Sequence, residues 1–375
     1  MRPVVVLGVG LIRFGRYPDV PVAELGQRAC WAALDDAGVA WRDIPVAYCG
    51  HAFQGSTMGQ RVLNRIGLTG VPIINVENAC ASGSTAFVAA YQAVASGMYD
   101  VALALGVEKM SFKGMIDATR PDDIERPLGT GAMPTKYALI ARRYMDDYGL
   151  TAAALAQVSV KNHANGCRNP YAQHQRRLTL DEVQQSRMIS DPLTLYQCSP
   201  TGDGAAAAVI TTEAVARQRS AGPFVRVAGC AVGSQVFVPG EPDDISEITK
   251  RTSRRAYEMW GGGPDDLDVV ELHDCFTIAE ICHYEGLGLC GEGEGQHLLA
   301  SGATGIGGRI PVNPSGGLLS RGHPVGATGM AQIAEITWQL REQAGERQVT
   351  GAKAGVTHTL GGGGGMACAV TVLTR

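Results

Sequence analysis

The chain has 375 residues, 45% of them hydrophobic and 18% charged, enough to bury a large core and to divide into two or more parts. Its formal net charge of −4, without a basic block, argues against nucleic-acid binding. It holds no run of about 18 apolar residues that could span a membrane. Ten cysteines are spread along the chain and no signal peptide precedes them, which predicts reduced thiols and a cytoplasmic protein.

The opening apolar run predicts a buried strand, Val4 to Val9, followed by a Gly-rich turn. Gly8 and Gly10 lack the third glycine of a dinucleotide loop, because Arg13 stands in its place. A helix is expected near 22–38, closing at Gly38. Then come "VAYCGHAF", a helix near 59–67 and the strand "VPIINVE" at 71–77. "ACASGSTAFVAAYQAVASGMY" reads as a helix and "DVALALGVE" as a buried strand. This alternation predicts an α/β layered fold.

Residues 112–200 are richer in charge, Tyr, Met and Pro. They predict irregular loops with amphipathic helices, inserted over one end of the sheet. Regular patterning returns at "GDGAAAAVITT", 202–212. It continues through "FVRVAGCAV", "LDVVELHDCF", a helix near 277–287 and a final strand pair near 351–359 and 366–373. The runs "CASGSTAFVAAYQAV", from residue 80, and "HPVGATGMAQIAEITW", from residue 323, echo one another. Each passes from a reactive residue into a helix poor in charge, which predicts two buried central helices in a duplicated α/β unit.

Four segments carry candidate chemistry. In "NVENACASGS" the strand ends near Glu77 and a helix begins around Ala81 to Ser84. Cys80 then sits at a helix N-terminus, where free N–H groups and the dipole favour a thiolate. Ala79, Ala81, Ser82 and Gly83 leave room for a thioester. The same residues also suit a small buried thiol that only packs. His323 lies between Gly322 and Pro324, and the proline marks a helix start. A neutral imidazole there can take a thiol proton, or can simply cap the turn.

The third segment, "ELHDCFTIAE", places His273, Asp274 and Cys275 at the C-terminal end of a strand, where ligand sites of α/β sheets lie. Thr277 and Glu280 have capping-box spacing for the next helix. His273, Cys275, Cys282, His283 and Cys290 are close in sequence. They lack paired C-x₂₋₄-C spacing, so no metal site is expected. In the fourth segment, "HTLGGGGGMACAV", five glycines allow the backbone to line the site with N–H groups.

Taken together, these motifs resemble the thiolase superfamily, and within it the sterol-carrier-protein type. "NACASGS" resembles the loop of the acylated cysteine. "HDCF" resembles that branch's replacement for the "NEAF" motif, and "NPSGGLLSRGHPVGATG" resembles the histidine loop. "VKNHANGCRNPYAQ" and "CSPTGDGAAAAV" resemble the end of the loop domain and the return to the first core half. The match runs through essentially the whole chain in order.

The resemblance implies a thiolase fold: duplicated βαβαβαββ halves in five α-β-α-β-α layers. The first core half would cover 1–111 and 201–222, a loop domain for coenzyme A and substrate 112–200, and the second half 223–375. It implies that Cys80 takes the acyl group and that His323 activates it. Common thiolases keep a second cysteine in the last glycine loop. Gly361 falls at that place here and Cys368 beyond it, so Cys275 becomes the second thiol. His273 would help hold an oxyanion-hole water, and Gly363 and Gly364 would offer oxyanion N–H groups. Ser315, Gly316, Gly317 and Gly326 would form the substrate loop.

The activity implied is cleavage of a 3-ketoacyl-CoA by a thiol, or the reverse Claisen condensation, in fatty-acid or steroid side-chain metabolism. Coenzyme A thioesters are the expected substrates, with no permanently bound cofactor. A homodimer or dimer of dimers is expected. The alternative is a thiolase-like retro-aldolase or acyltransferase subunit that works with a small OB-fold, zinc-bearing partner.

Overall fold

The computed structural model describes residues 1–111, 127–219, 224–236, 245–362 and 366–375. β1 (Val4–Leu11) is buried at every position. α1 (Val22–Ala37) ends at Gly38, whose φ of 61° is the left-handed conformation that closes a helix. β2 (Ala47–Gly50), α2 (Met58–Leu63), β3 (Ile73–Val76), α3 (Ser82–Ala95) and β4 (Val101–Lys109) follow. Next come α4 (Met133–Tyr148), α5 (Ala152–Gly166), α6 (Leu180–Gln184) and a hairpin of β5 (Met188–Ser190) and β6 (Leu193–Thr194). β7 (Asp203–Thr212) and α7 (Glu213–Arg219) lead into the second part of the chain.

That part runs β8 (Val225–Ser234), α8 (Ile245–Trp260), β9 (Val269–Glu271), α9 (Thr277–Gly286) and α10 (Gly295–Ala300). It ends with α11 (Gly317–Arg321), α12 (Thr328–Leu340), β10 (Ala354–Gly361) and β11 (Ala367–Thr374). The final strands begin and end one to three residues later than the sequence pattern placed them, as strand boundaries commonly do.

The strands form one nine-stranded sheet in the order β3-β2-β4-β7-β1-β8-β11-β10-β9. Its centre is narrow: among the described residues, β1 and β8 pair through Val5–Arg226 and Val6–Val225. Outward from that seam both sides repeat one plan. β1–β7 and β7–β4 are antiparallel, while β4–β2 and β2–β3 are parallel. β8–β11 and β11–β10 are antiparallel, β10–β9 is parallel, and Val312 adds a parallel bridge to Val270. The duplication read from the sequence echo is therefore present in the strand order. The two halves share a seam rather than forming separate sheets.

Helices complete the layers. α1 covers β1, β4 and β7 on one side, and α8 covers β8 and β11 on the other. α3 and α12 lie between, against each other and against strands of both halves. This explains their lack of charge: α12 is buried on every face along almost its whole length. They meet closely at their starts. A Cβ on Gly83 would lie 2.5 Å from the Gly326 carbonyl oxygen, and one on Gly329 would lie 2.6 Å from the Ser84 nitrogen. Both glycines are second residues of their helices, so the loops before α3 and α12 are pressed together.

Tyr137, Ala141 and Tyr144 of α4 and Leu155 and Val158 of α5 join the core that holds Cys275, Phe276, Ile278 and Ile281. This segment therefore packs on the second half of the chain, although it follows β4 of the first. Among the described residues, no helix is long and apolar enough to cross a membrane. All ten cysteines are free thiols.

Candidate active site

After β3 the chain makes a tight turn. The Ser82 hydroxyl donates to the Ala79 carbonyl at 2.6 Å and accepts from the Asn78 amide at 2.9 Å. Ala79 has a φ of 47°, a strained value for a residue with a Cβ. Ala79–Ala81 form one turn of 3₁₀-helix before α3 starts at Ser82. Cys80 sits in that turn and is half-buried. Burial pushes its thiol up to about 12, and the Glu108 and Glu77 carboxylates add to this. Hydrogen bonds from the Gly362 and Cys80 backbone N–H groups act in the opposite direction.

His323 lies in the loop after α11. The sequence pattern placed it directly before an α-helix starting at Pro324. A 3₁₀ turn, Val325–Ala327, intervenes, and α12 begins only at Thr328. That delay has a consequence for the ring. His323 Nδ1 is 2.7 Å from Thr328 Oγ1, and the Thr328 hydroxyl donates to the Pro324 carbonyl at 3.0 Å. A hydroxyl has one proton, so His323 Nδ1 must be the donor to Thr328. Nε2 is left with its lone pair. Burial, helped by the Arg321 charge, pushes the His323 pKa down to about 3, so the ring is neutral.

His273 follows β9. Its ring meets that of His323 edge-on, with centroids 5.1 Å apart at 81°. Cys80 Sγ and one ring nitrogen from each histidine all lie within 4.8 Å of one another. Burial holds the His273 pKa well below the ordinary histidine value, and the neighbouring His323, His358, His283 and Arg321 charges push the same way. Behind it, the His273 amide donates to His358 Nδ1 at 3.4 Å.

Cys275 is buried in the same turn as His273. Burial raises its thiol pKa well above normal, a Tyr137 hydrogen bond opposes this, and Cys80 is near enough to add a raising charge interaction. Tyr137 stacks on Phe276 with centroids 4.6 Å apart. Gly361, in contrast, cannot carry a second thiol: a Cβ there would lie 2.2 Å from the Asn78 carbonyl oxygen.

Buried charges lock these loops together. Asp274 accepts from the Leu318 and Leu319 amides at 2.7 and 3.3 Å and from Asn162 at 2.7 Å. Glu271 pairs with Arg321 at 2.9 Å and accepts from the Ser315 hydroxyl at 2.7 Å. Glu108 accepts from the Ala52, Phe53 and Gly326 amides at 2.8, 3.1 and 3.1 Å. Glu280 does not form the expected capping box, since α9 has no side-chain cap at Phe276. Its carboxylate pairs instead with Lys161 at 2.7 Å and accepts from Asn162 and Asn313 at 2.7 and 2.9 Å. Tertiary partners, a lysine and two asparagine side chains, outcompeted the local cap.

Cys80, His273 and His323 thus converge, with Cys275 beside them. Ser315 and Gly326 are engaged by Glu271 and Glu108, while Gly316 and Gly317 pack tightly on Gly166 and Asp274. Gly363 and Gly364 lie outside the described residues; among the described ones, Gly362 of the glycine loop reaches Cys80. Sequence reasoning missed Glu108, Glu271, Arg321, Thr328 and Tyr137. The acidic residues that end "DVALALGVE" and "VVE" were the available signal, since a charge closing a buried strand needs a partner.

A thiol shifted up and an imidazole shifted down favour the uncharged pair over a thiolate–imidazolium pair. Alkylation of Cys80 by iodoacetamide, followed by peptide mass spectrometry, should therefore accelerate about tenfold per pH unit from roughly pH 6 to 10. A plateau below pH 8 would show a resting ion pair and contradict these shifts.

Two family models match the chain: "Thiolase, N-terminal domain" over residues 4–214 and "Thiolase C-terminal domain-like" over residues 238–375. The chain belongs to the thiolase family. It is 43% identical over 387 residues to acetyl-CoA acetyltransferase of Methanothermobacter thermautotrophicus, covering 100% of both chains. It is 39% identical over 393 residues to sterol carrier protein 2 of Gallus gallus, covering 97% of this chain and 70% of that one. Among solved structures, the Ltp2-ChsH2(DUF35) aldolase superimposes with a TM-score of 0.87 at 26% identity, covering 100% of this chain and 98% of that one.

Proposed function

We propose that this thiolase carries an acyl group on Cys80 while it cleaves a 3-ketoacyl-CoA, or condenses two acyl-CoA molecules in reverse. The chain is an acyltransferase of coenzyme A thioesters, in keeping with its family. The observation that carries the residue assignment is the approach of Cys80 Sγ and the two histidine nitrogens to within 4.8 Å.

The steps follow from the protonation states. His323 Nε2, free of the Thr328 bond, takes the Cys80 proton as the sulfur attacks the 3-carbonyl. The Cys80 and Gly362 amides stabilise the oxyanion that forms there. Collapse breaks the C2–C3 bond, and the enolate of the shorter thioester takes a proton from the Cys275 thiol. The Cys275 thiolate then deprotonates incoming coenzyme A, whose sulfur attacks the acyl-cysteine. Cys80 leaves and regains its proton from the His323 imidazolium. His273 helps hold the water that polarises the thioester oxygen. The balance is one carbon–carbon bond broken, one thioester formed and every proton returned.

The loop domain, residues 112–200, of which 112–126 lie outside the described residues, supplies much of the acyl and coenzyme A pocket in this proposal. Tyr137, which contacts the Cys275 turn, supports that placement. A homodimer or dimer of dimers pairing through β3, one of the sheet's two edge strands and with Ile74 exposed, belongs to the same proposal. So does a cytoplasmic location, which suits ten free thiols.

A second reading is favoured by the similarity to the Ltp2-ChsH2(DUF35) aldolase: carbon–carbon cleavage without an acyl-enzyme, with a partner subunit. Intact mass after incubation with acetyl-CoA or a 3-ketoacyl-CoA separates the two. A covalent acyl adduct is expected. Absence of an adduct at every chain length, with activity gained on adding a small OB-fold, zinc-bearing partner, would overturn the thiolase assignment.

A further inference from the structure

We infer that the Cys80–His273–His323 triangle also binds a borderline-soft divalent cation of the Zn²⁺ class, and that the bound ion blocks acylation of Cys80. Only the blocking consequence rests on the acyl-enzyme reading; the binding site stands on its own geometry.

One thiolate and two neutral imidazoles form a donor set that suits zinc and cobalt. The three donor atoms lie within 4.8 Å of one another and come from three separate loops, before α3, after β9 and before α12. With Zn–S near 2.3 Å and Zn–N near 2.0–2.1 Å, tetrahedral donors stand roughly 3.3–3.6 Å apart. Binding therefore draws donors that stand up to 4.8 Å apart together by as much as about 1.2–1.5 Å. No consecutive-residue motif announces the set, which is why spacing along the chain predicted no metal.

The surrounding contacts resemble those that support metal ligands. Thr328 accepts the His323 Nδ1 hydrogen at 2.7 Å, so Nε2 is aimed and unprotonated. His273 is buried, and its Nδ1 has no hydrogen-bond partner. Three protein donors leave a fourth position for water. Without His273 only a Cys–His pair would remain.

Binding involves no redox change. The ion takes the Cys80 thiol as thiolate, its proton passes to solvent, and the His323 lone pair becomes a metal–nitrogen bond. Nucleophile and base are then both occupied. Metal binding and acylation therefore exclude one another.

The test titrates the metal-free chain with Co²⁺ and follows the thiolate-to-cobalt absorption in the near ultraviolet, then adds acetyl-CoA and measures the adduct by intact mass. The band should saturate at one ion per chain, be displaced by Zn²⁺, and disappear in Cys80→Ser and in wild-type protein acylated beforehand. The second control needs no variant to fold. His273→Asn and Thr328→Val should each weaken Co²⁺ binding roughly 10–100-fold. Zinc-loaded protein should form the adduct roughly tenfold or more slowly than metal-free protein. A band that survives acylation, or no band, overturns the inference, as does an adduct rate unchanged by saturating zinc. A saturating band with no adduct in metal-free protein would sink the acyl-enzyme reading and leave the metal site standing. An adduct without a band would do the reverse.

Discussion

Cys80→Ser is expected to abolish the acyl adduct and to lower kcat by a factor on the order of 10⁴ or more. The resting site explains the size of the effect. The Cys80 thiol is raised to about 12 and the His323 base is lowered to about 3, so proton transfer must accompany attack on the carbonyl. Sulfur tolerates this, being a strong and polarisable nucleophile even when its thiolate is scarce. A serine hydroxyl is a far weaker acid, and the same imidazole would be asked to do more. The fold should be indifferent to the change, since Cys80 is half-buried and the turn is held by Ser82 and Asn78. A normal melting temperature without an adduct is the expected pair of results. Retention of more than about a tenth of the activity would remove Cys80 from the mechanism.

Cys275→Ala should separate the two halves of the reaction. Acetyl-CoA should still acylate Cys80, while thiolysis and condensation fall by about 10²–10⁴-fold, the range of a general acid–base group. Two observations support this proposed duty of Cys275. Its thiol is close enough to Cys80 to shift with it, and a Tyr137 hydrogen bond favours its thiolate. The alternative position is closed, because any side chain at Gly361 would strike the Asn78 carbonyl. The readout is pre-steady-state mass spectrometry: adduct accumulates and does not turn over. Normal turnover in Cys275→Ala would move the second proton transfer to another group. Loss of the adduct would instead indicate damage to the Cys80 pocket.

Much of this molecule was legible along the chain. The alternation of apolar strands with small-residue helices announced an α/β fold, and each strand from "VVVLGV" to "ACAVTV" formed. The echo between residues 80 and 323 matched two starts of central helices, because burial between two layers demands the same small, uncharged residues twice. Four residues of the candidate site, Cys80, His273, Cys275 and His323, were visible as motifs: Cys80 and His323 stand beside small residues at helix starts, and His273 and Cys275 follow a buried strand.

Other features needed three dimensions. Glu280 had the spacing of a helix cap and became instead the partner of Lys161, Asn162 and Asn313. A local pattern cannot report that a distant cation offers a stronger bond. His323 looked like the residue before an α-helix, yet the intervening 3₁₀ turn brings Thr328 onto Nδ1 and so determines which nitrogen is the base.

By itself, then, the sequence determined which residues could react and which segments had to be buried, because residue type and periodicity are local properties. Only the tertiary structure decided their protonation states, their convergence within 4.8 Å and the exclusion of a side chain at Gly361. Those depend on desolvation and on contacts between segments far apart in the chain, which no spacing along it encodes.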